Sequence, residues 1–115
     1  MAYNEQLANR VREALVVLSP IEEKTMMGGL IFMYNGKMCV GILKDELMCR
    51  IDPKLHDELV EKQGCRTMDF VKRPSYGYIL IDQSGMRNQQ EFEYWIQLAL
   101  DFNPFAKSSK KKNNI

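Results

Sequence analysis

Residues 24–39 read KTMMGGLIFMYNGKMC, and the reading of this stretch decides the fold. A phosphate-binding loop would need backbone N–H groups converging at a helix N-terminus, with a following Lys and Ser/Thr or a third spaced glycine. Neither GxxxxGK[ST] nor GxGxxG is present, and Gly28 and Gly29 lead into an apolar run instead. The pair therefore reads as a bulge or a close backbone crossing where one strand hands over to the next. Asn35-Gly36 predicts a two-residue type I′ hairpin, because both positions need positive φ and these residue types tolerate it. That turn sets Tyr34 opposite Lys37, and it sets Met33 beside Met38 and Ile31 beside Val40, with Ile42 further along, on one apolar face. Leu30, Phe32, Tyr34, Lys37, Cys39 and Gly41 then share the other, amphipathic face, which calls for cover by a helix, a second copy or a partner.

Outward from the hairpin, the periodicity changes on both sides. Leu7, Val11, Ala14, Leu15 and Leu18 fall on one face of a helix that starts near Asn4 and stops at Ser19-Pro20. A further strand is expected over residues 47–51. Asp52 as N-cap and Pro53 at the first helical position open a second helix, with Leu55, Leu59 and Val60 as its stripe and Gly64 as its end. His56 lies next to that stripe and reads as a partly exposed structural imidazole. Residues 65–75 read as irregular, since Arg73-Pro74 disfavours helix. Residues 77–82, GYILID, alternate into another strand. Asn88 with Glu91 resembles a capping box, and Phe92, Trp95, Ile96, Ala99 and Leu100 form a helical stripe that ends at Asn103-Pro104. The order α-β-β-β-β-α-β-α predicts an α+β fold, an antiparallel sheet of about five strands packed with helices.

A chain of 115 residues with 45% hydrophobic and 27% charged side chains suits one core. No apolar run approaches the roughly 18 residues of a membrane span, and the N-terminus lacks a signal peptide's basic and apolar regions, so a cytoplasmic protein is expected. Cys39, Cys49 and Cys65 form no CxxC pair and match no zinc spacing with His56, so reduced, partly buried thiols are expected, with no metal and no cofactor. Four of the sixteen basic residues, Lys107, Lys110, Lys111 and Lys112, lie in the last nine positions, leaving twelve in the body against fifteen acids. The body thus lacks the basic excess of a dedicated nucleic-acid surface. Residues 1–106 read as the domain and 107–115 as a disordered, solubilising tail, which through Lys110, Lys111 and Lys112 is also the place for weak nucleic-acid contact.

With a single histidine, few nucleophilic triads can be built. Asp69, Asp82 and Glu46 are isolated acids near strand ends, where turn and cap roles prevail. Lys24, Arg50, Arg73 and Tyr78 are the suggestive polar residues, each in or beside a strand. Arg50 alternates with Met48 in an otherwise apolar strand, so it either binds an anion or a partner carboxylate, or forms an internal ion pair, for example with Asp69.

In order, Tyr3-Asn4-Glu5, KTMMGGLIFMYNGKMCVGI, ELMCRIDP, TMDFVKRPSYGYILID and the helix bearing Trp95 resemble the N-terminal domain of the TfoX/Sxy family of bacterial competence regulators. The match covers nearly everything before the tail. Where the family commonly has Met-Phe before the paired glycines, this chain has Met26-Met27. The resemblance implies a YjbR-like, secretion-chaperone-like α+β fold and a non-enzymatic role in helping a transcription activator switch on competence genes. Family competence regulators also carry a C-terminal helical domain, so this chain is expected to be a stand-alone version. The expected activity is protein binding, to the transcription machinery or to a second copy, through Gly28, Gly29, Phe32, Tyr34, Lys37 and Arg50. Nucleic-acid binding through the tail, and a small enzyme with a shallow pocket between the sheet and the last helix, are the alternatives.

Overall fold

The computed structural model describes residues 3–18, 20–26, 28–68 and 76–107. The tail with Lys110, Lys111 and Lys112, and the candidates Asp69 and Arg73, lie outside the described residues. The chain runs α1 (Glu5–Ala14), β1 (Ile21–Met26), β2 (Gly29–Tyr34), β3 (Lys37–Leu43), β4 (Glu46–Arg50), a 3-10 turn (Pro53–Leu55) leading into α2 (His56–Leu59), β5 (Cys65–Thr67), β6 (Tyr78–Ile81) and α3 (Gln89–Phe102). The fold is α+β, and the strands form one antiparallel sheet of six in the order β1-β2-β3-β4-β6-β5. Strand β5 exceeds the sequence expectation: its three residues, read as irregular, pair with β6 at the sheet edge.

Local chemistry sets the boundaries. Asn4 accepts from the Leu7 amide at 3.0 Å and starts α1, which ends at Ala14, short of the expected Ser19-Pro20 stop. Asp52 accepts from the Lys54 amide at 2.9 Å, with Pro53 next to it. Asn88 caps α3 through the Glu91 amide at 2.9 Å. The reciprocal bond shifts by one residue, because the Glu91 carboxylate accepts from the Arg87 amide at 2.8 Å rather than from Asn88.

The hairpin forms as expected: Asn35 and Gly36 have φ of 58° and 75°, and Tyr34 faces Lys37. Gly29 lies where a Cβ would overlap the Ile42 carbonyl oxygen, so the close backbone crossing is real. The register beyond the turn is corrected. Met33 pairs with Met38, but Phe32 pairs with Val40, Ile31 with Gly41 and Leu30 with Ile42. Cys39 is the extra residue of a β-bulge, and a one-residue insertion reverses the facing of everything after it. Val40 and Ile42 therefore join Leu30 and Phe32, not Ile31 and Met33.

Both faces of the sheet are buried over its central strands, while the edge strand β1 is largely exposed. One face carries Leu30, Phe32, Val40, Ile42, Leu47 and Ile79, against Leu7 and Val11 of α1, Leu59 of α2 and Phe92, Trp95 and Ile96 of α3. This is the main core, and the face read as amphipathic is the one the helices cover. The other face carries Ile31, Met33, Met48 and Leu80 with Met68 and Leu43, and Met26, Met38 and Tyr78 pack against that cluster. Unbranched methionines fill such a surface because their torsions adapt to irregular gaps.

Candidate functional site

The six residues expected to form one binding surface lie in four different settings. Gly28 is exposed at a turn with φ of 75°, and Gly29 is buried beside it. Phe32 is buried in the main core. Tyr34 packs against the same core, and its carbonyl accepts from Asn103 Nδ2 at 3.1 Å. Lys37 donates from Nζ to the carbonyls of Asn103 at 3.0 Å and Pro104 at 3.3 Å. Helix α3 has no basic residue in its own last turn, and the hairpin supplies a cation to its negative end. Asn103, only 2% exposed, completes the clamp by accepting from Asn35 Nδ2 at 2.9 Å.

Arg50 is different. It ends β4 opposite Tyr78 of β6, and its guanidinium carbon sits 5.4 Å from the Tyr78 ring centroid. Its Nη1 is buried and has no hydrogen-bond partner among the described residues. The ion pairs seen among those residues, Arg12 with Glu23, Arg66 with Glu46 and Arg87 with Glu91, leave it out. A buried donor with no acceptor costs about 1–3 kcal/mol, so such groups are rare without a reason. Arg50 opens onto a pocket of about 240 Å³ walled by Pro53, Tyr76, Tyr78, Phe102, Phe105 and Lys107, with Ile51 and Gly77 beneath. Two of these walls face solvent, Tyr76 at 57% and Phe105 at 77% exposure.

The wall formed by Tyr76 and Gly77 is fastened by His56. The Gly77 amide donates to His56 Nδ1 at 2.9 Å, and His56 Nε2 lies 2.8 Å from Thr67 Oγ1. Accepting at Nδ1 fixes the neutral ring with its proton on Nε2. Tyr76 stacks on the imidazole with centroids 4.1 Å apart and donates its hydroxyl to Asp57. Burial lowers the His56 pKa, and Asp57 opposes the shift only in part. At 1% exposure His56 is not the partly exposed ring expected from its place beside the α2 stripe. The missed signal is non-local, since its partners lie 11 and 21 residues downstream.

The remaining reactive groups are spent. Glu46 pairs with Arg66, and Asp82 accepts from the amide and hydroxyl of Ser84. Cys39, Cys49 and Cys65 are free and buried. Burial pushes the Cys39 thiol up to about 12 against the pull of Arg50, and the Cys65 thiol up to about 11, and it raises the fully buried Cys49 well above its ordinary range. Thiols held protonated are poor nucleophiles. A larger groove of about 410 Å³ runs past Lys62, Arg87, Glu91, Tyr94 and Trp95. Two of its polar pairs are closed within the fold, Arg87 with Glu91 and Trp95 Nε1 with the Gly85 carbonyl at 2.9 Å. No group of three or more metal-ligating side chains occurs among the described residues, and no helix there is long and apolar enough to cross a membrane.

Comparison with known proteins gives one match. The family model of the TfoX N-terminal domain matches residues 13–103. No curated protein and no solved structure matches the chain significantly.

Proposed function

Because the chain belongs to the TfoX N-terminal domain family, we propose that it works by binding, as a non-enzymatic cytoplasmic accessory that contacts the transcription machinery in competence-type regulation. One observation carries this reading: Arg50, whose Nη1 is buried and unpartnered among the described residues, lines an open aromatic pocket. A fixed guanidinium fork with no internal acceptor is suited to an acceptor brought by another molecule. Of the six residues expected to bind, Arg50 alone combines a charge with a free valence. Lys37 and Tyr34 work inside the fold.

The test is biolayer interferometry of the full chain against purified bacterial RNA polymerase holoenzyme and, separately, against the activator it recruits. Arg50→Gln should weaken the complex by at least about tenfold, as loss of one partner of a desolvated charge pair does, while the circular dichroism spectrum stays unchanged. Equal binding by the variant, or none by the parent chain, overturns the reading. Sedimentation of the free chain separates a second copy from a different partner.

A further inference from the structure

We infer that the Arg50 pocket is a carboxylate site, built for a monoanion carried on an aromatic or aliphatic body of side-chain size. The inference rests on the binding reading above and names the chemistry of the ligand at that same site. Among the described residues its charged lining is cationic, Arg50 and Lys107, with no acidic side chain. The described walls beside these are Pro53, Tyr76, Tyr78, Phe102 and Phe105, which offer ring faces and edges to an apolar body, while the Tyr76 hydroxyl is engaged with Asp57. At about 240 Å³ it falls below the roughly 300 Å³ at which pockets for drug-sized ligands begin. One ring with a carboxylate fits; a nucleotide does not.

The geometry also selects the charge. Phe102 is the last residue of α3, so the helix brings its negative end to the pocket. That end opposes any anion, and a phosphate dianion more than a carboxylate monoanion; phosphate is held best where backbone N–H groups and a helix N-terminus converge. A carboxylate needs only the guanidinium fork, which it engages through two parallel N–H···O bonds. Nη1 itself is covered and, among the described residues, unpaired, so an acceptor gains it when the guanidinium turns toward the pocket that Arg50 lines. That turn ends the cost of a buried, unsatisfied donor, a cost that a surface arginine does not carry. Entry is from the side of Phe105, which is 77% exposed, while Tyr76 is held by its stacking on His56 and its bond to Asp57.

The same chemistry occurs in a free aromatic acid and at the C-terminus of a peptide. The experiment is a ¹H–¹⁵N titration of the full chain with phenylacetate, phenylacetamide, N-acetyl-phenylalanine and phenyl phosphate. Shifts are followed at the Gly77 and Tyr78 amides and at the Arg50 Nε–H. The carboxylates should bind at least about tenfold more tightly than the amide and more tightly than phenyl phosphate. Arg50→Gln should abolish that preference, and Lys107→Gln should reduce it. If Arg50→Gln fails to fold, Phe105→Ala, at an exposed wall, should still weaken all the ligands while keeping the order among them. Tighter binding of N-acetyl-phenylalanine assigns the site to a peptide end; tighter binding of phenylacetate assigns it to a free acid. Equal binding of acid and amide, preference for phenyl phosphate, or no shift at the pocket at millimolar ligand overturns the inference. Arg50-dependent binding of polymerase or activator without a carboxylate preference overturns this inference alone. Carboxylate binding by a chain that ignores both proteins overturns the protein-partner reading alone.

Discussion

Lys37 and Arg50 are two cations at the same end of the sheet, and the short turn after α3 meets both. Asn103 and Pro104 give their carbonyls to Lys37, whereas Phe105 walls the pocket into which Arg50 opens. One cation is an internal cap, with its donors satisfied and its charge set against the helix dipole. The other has a buried nitrogen with nothing to bond. From sequence the two looked alike, as basic residues of apolar strands. What separates them is the company that the C-terminus of α3 brings from more than fifty residues away, so a charge in a strand becomes informative only once its acceptors are counted.

If the Lys37 side is a structural clamp, breaking its centre should give the largest effect. Asn103→Ala removes the bonds to the Tyr34 carbonyl and to Asn35 in a residue that is 2% exposed. A loss of about 2 kcal/mol is expected in urea denaturation, from leaving a part-buried acceptor unpaired. An unchanged midpoint would mean that the hairpin needs no clamp.

The Arg50 side should instead respond to acid. His56 holds the pocket wall in its neutral form, and its folded pKa lies below the ordinary value because of burial. The unfolded chain therefore binds the proton more readily. The stability contributed by the neutral ring is complete above about pH 6.5 and is lost as pH falls through the folded pKa. Protonating Nδ1 turns an acceptor into a donor facing the Gly77 amide. The protection factor of the Gly77 amide, exchange relative to the intrinsic rate at each pH, should fall below about pH 6, with little change at Lys37; a parallel fall at both residues would show the two sides to be one cooperative unit.

Much of this was legible where the chemistry is local. Asn35-Gly36, Asp52-Pro53 and Asn88 with Glu91 announce their turn and caps because donor and acceptor lie within a few residues. The bulge at Cys39 was not legible, since nothing in MCVG distinguishes an inserted residue from a paired one, and that single insertion moved Val40 and Ile42 to the opposite face. Strand β5 was missed because three residues at an edge leave no alternation to read. Of the candidate site, Arg50 could be found as a charge inside an apolar strand. The walls of its pocket come from three separate parts of the chain, and His56 gains its role only when Tyr76 and Gly77 fold back onto it.

The two smallest effects bear most directly on the pair. Lys37→Met removes two bonds to carbonyls at a partly exposed site, and a loss of about 1 kcal/mol is expected, discounted for the water that can replace the ammonium. Arg50→Met should cost almost nothing, and the sign is the point. The substitution gives up a cation–π contact with Tyr78 worth about 0.5–1 kcal/mol. It also removes a buried donor without an acceptor, which was itself costing about 1–3 kcal/mol. Methionine extends the surface already made by Met48 and Tyr78, and replacing buried charge by apolar volume is often neutral or stabilising. A chain at least as stable as the parent, and unable to bind a carboxylate, would show that Arg50 is kept for its ligand. A loss larger than that of Lys37→Met would make Arg50 a structural residue like its neighbour, and the contrast between them would disappear.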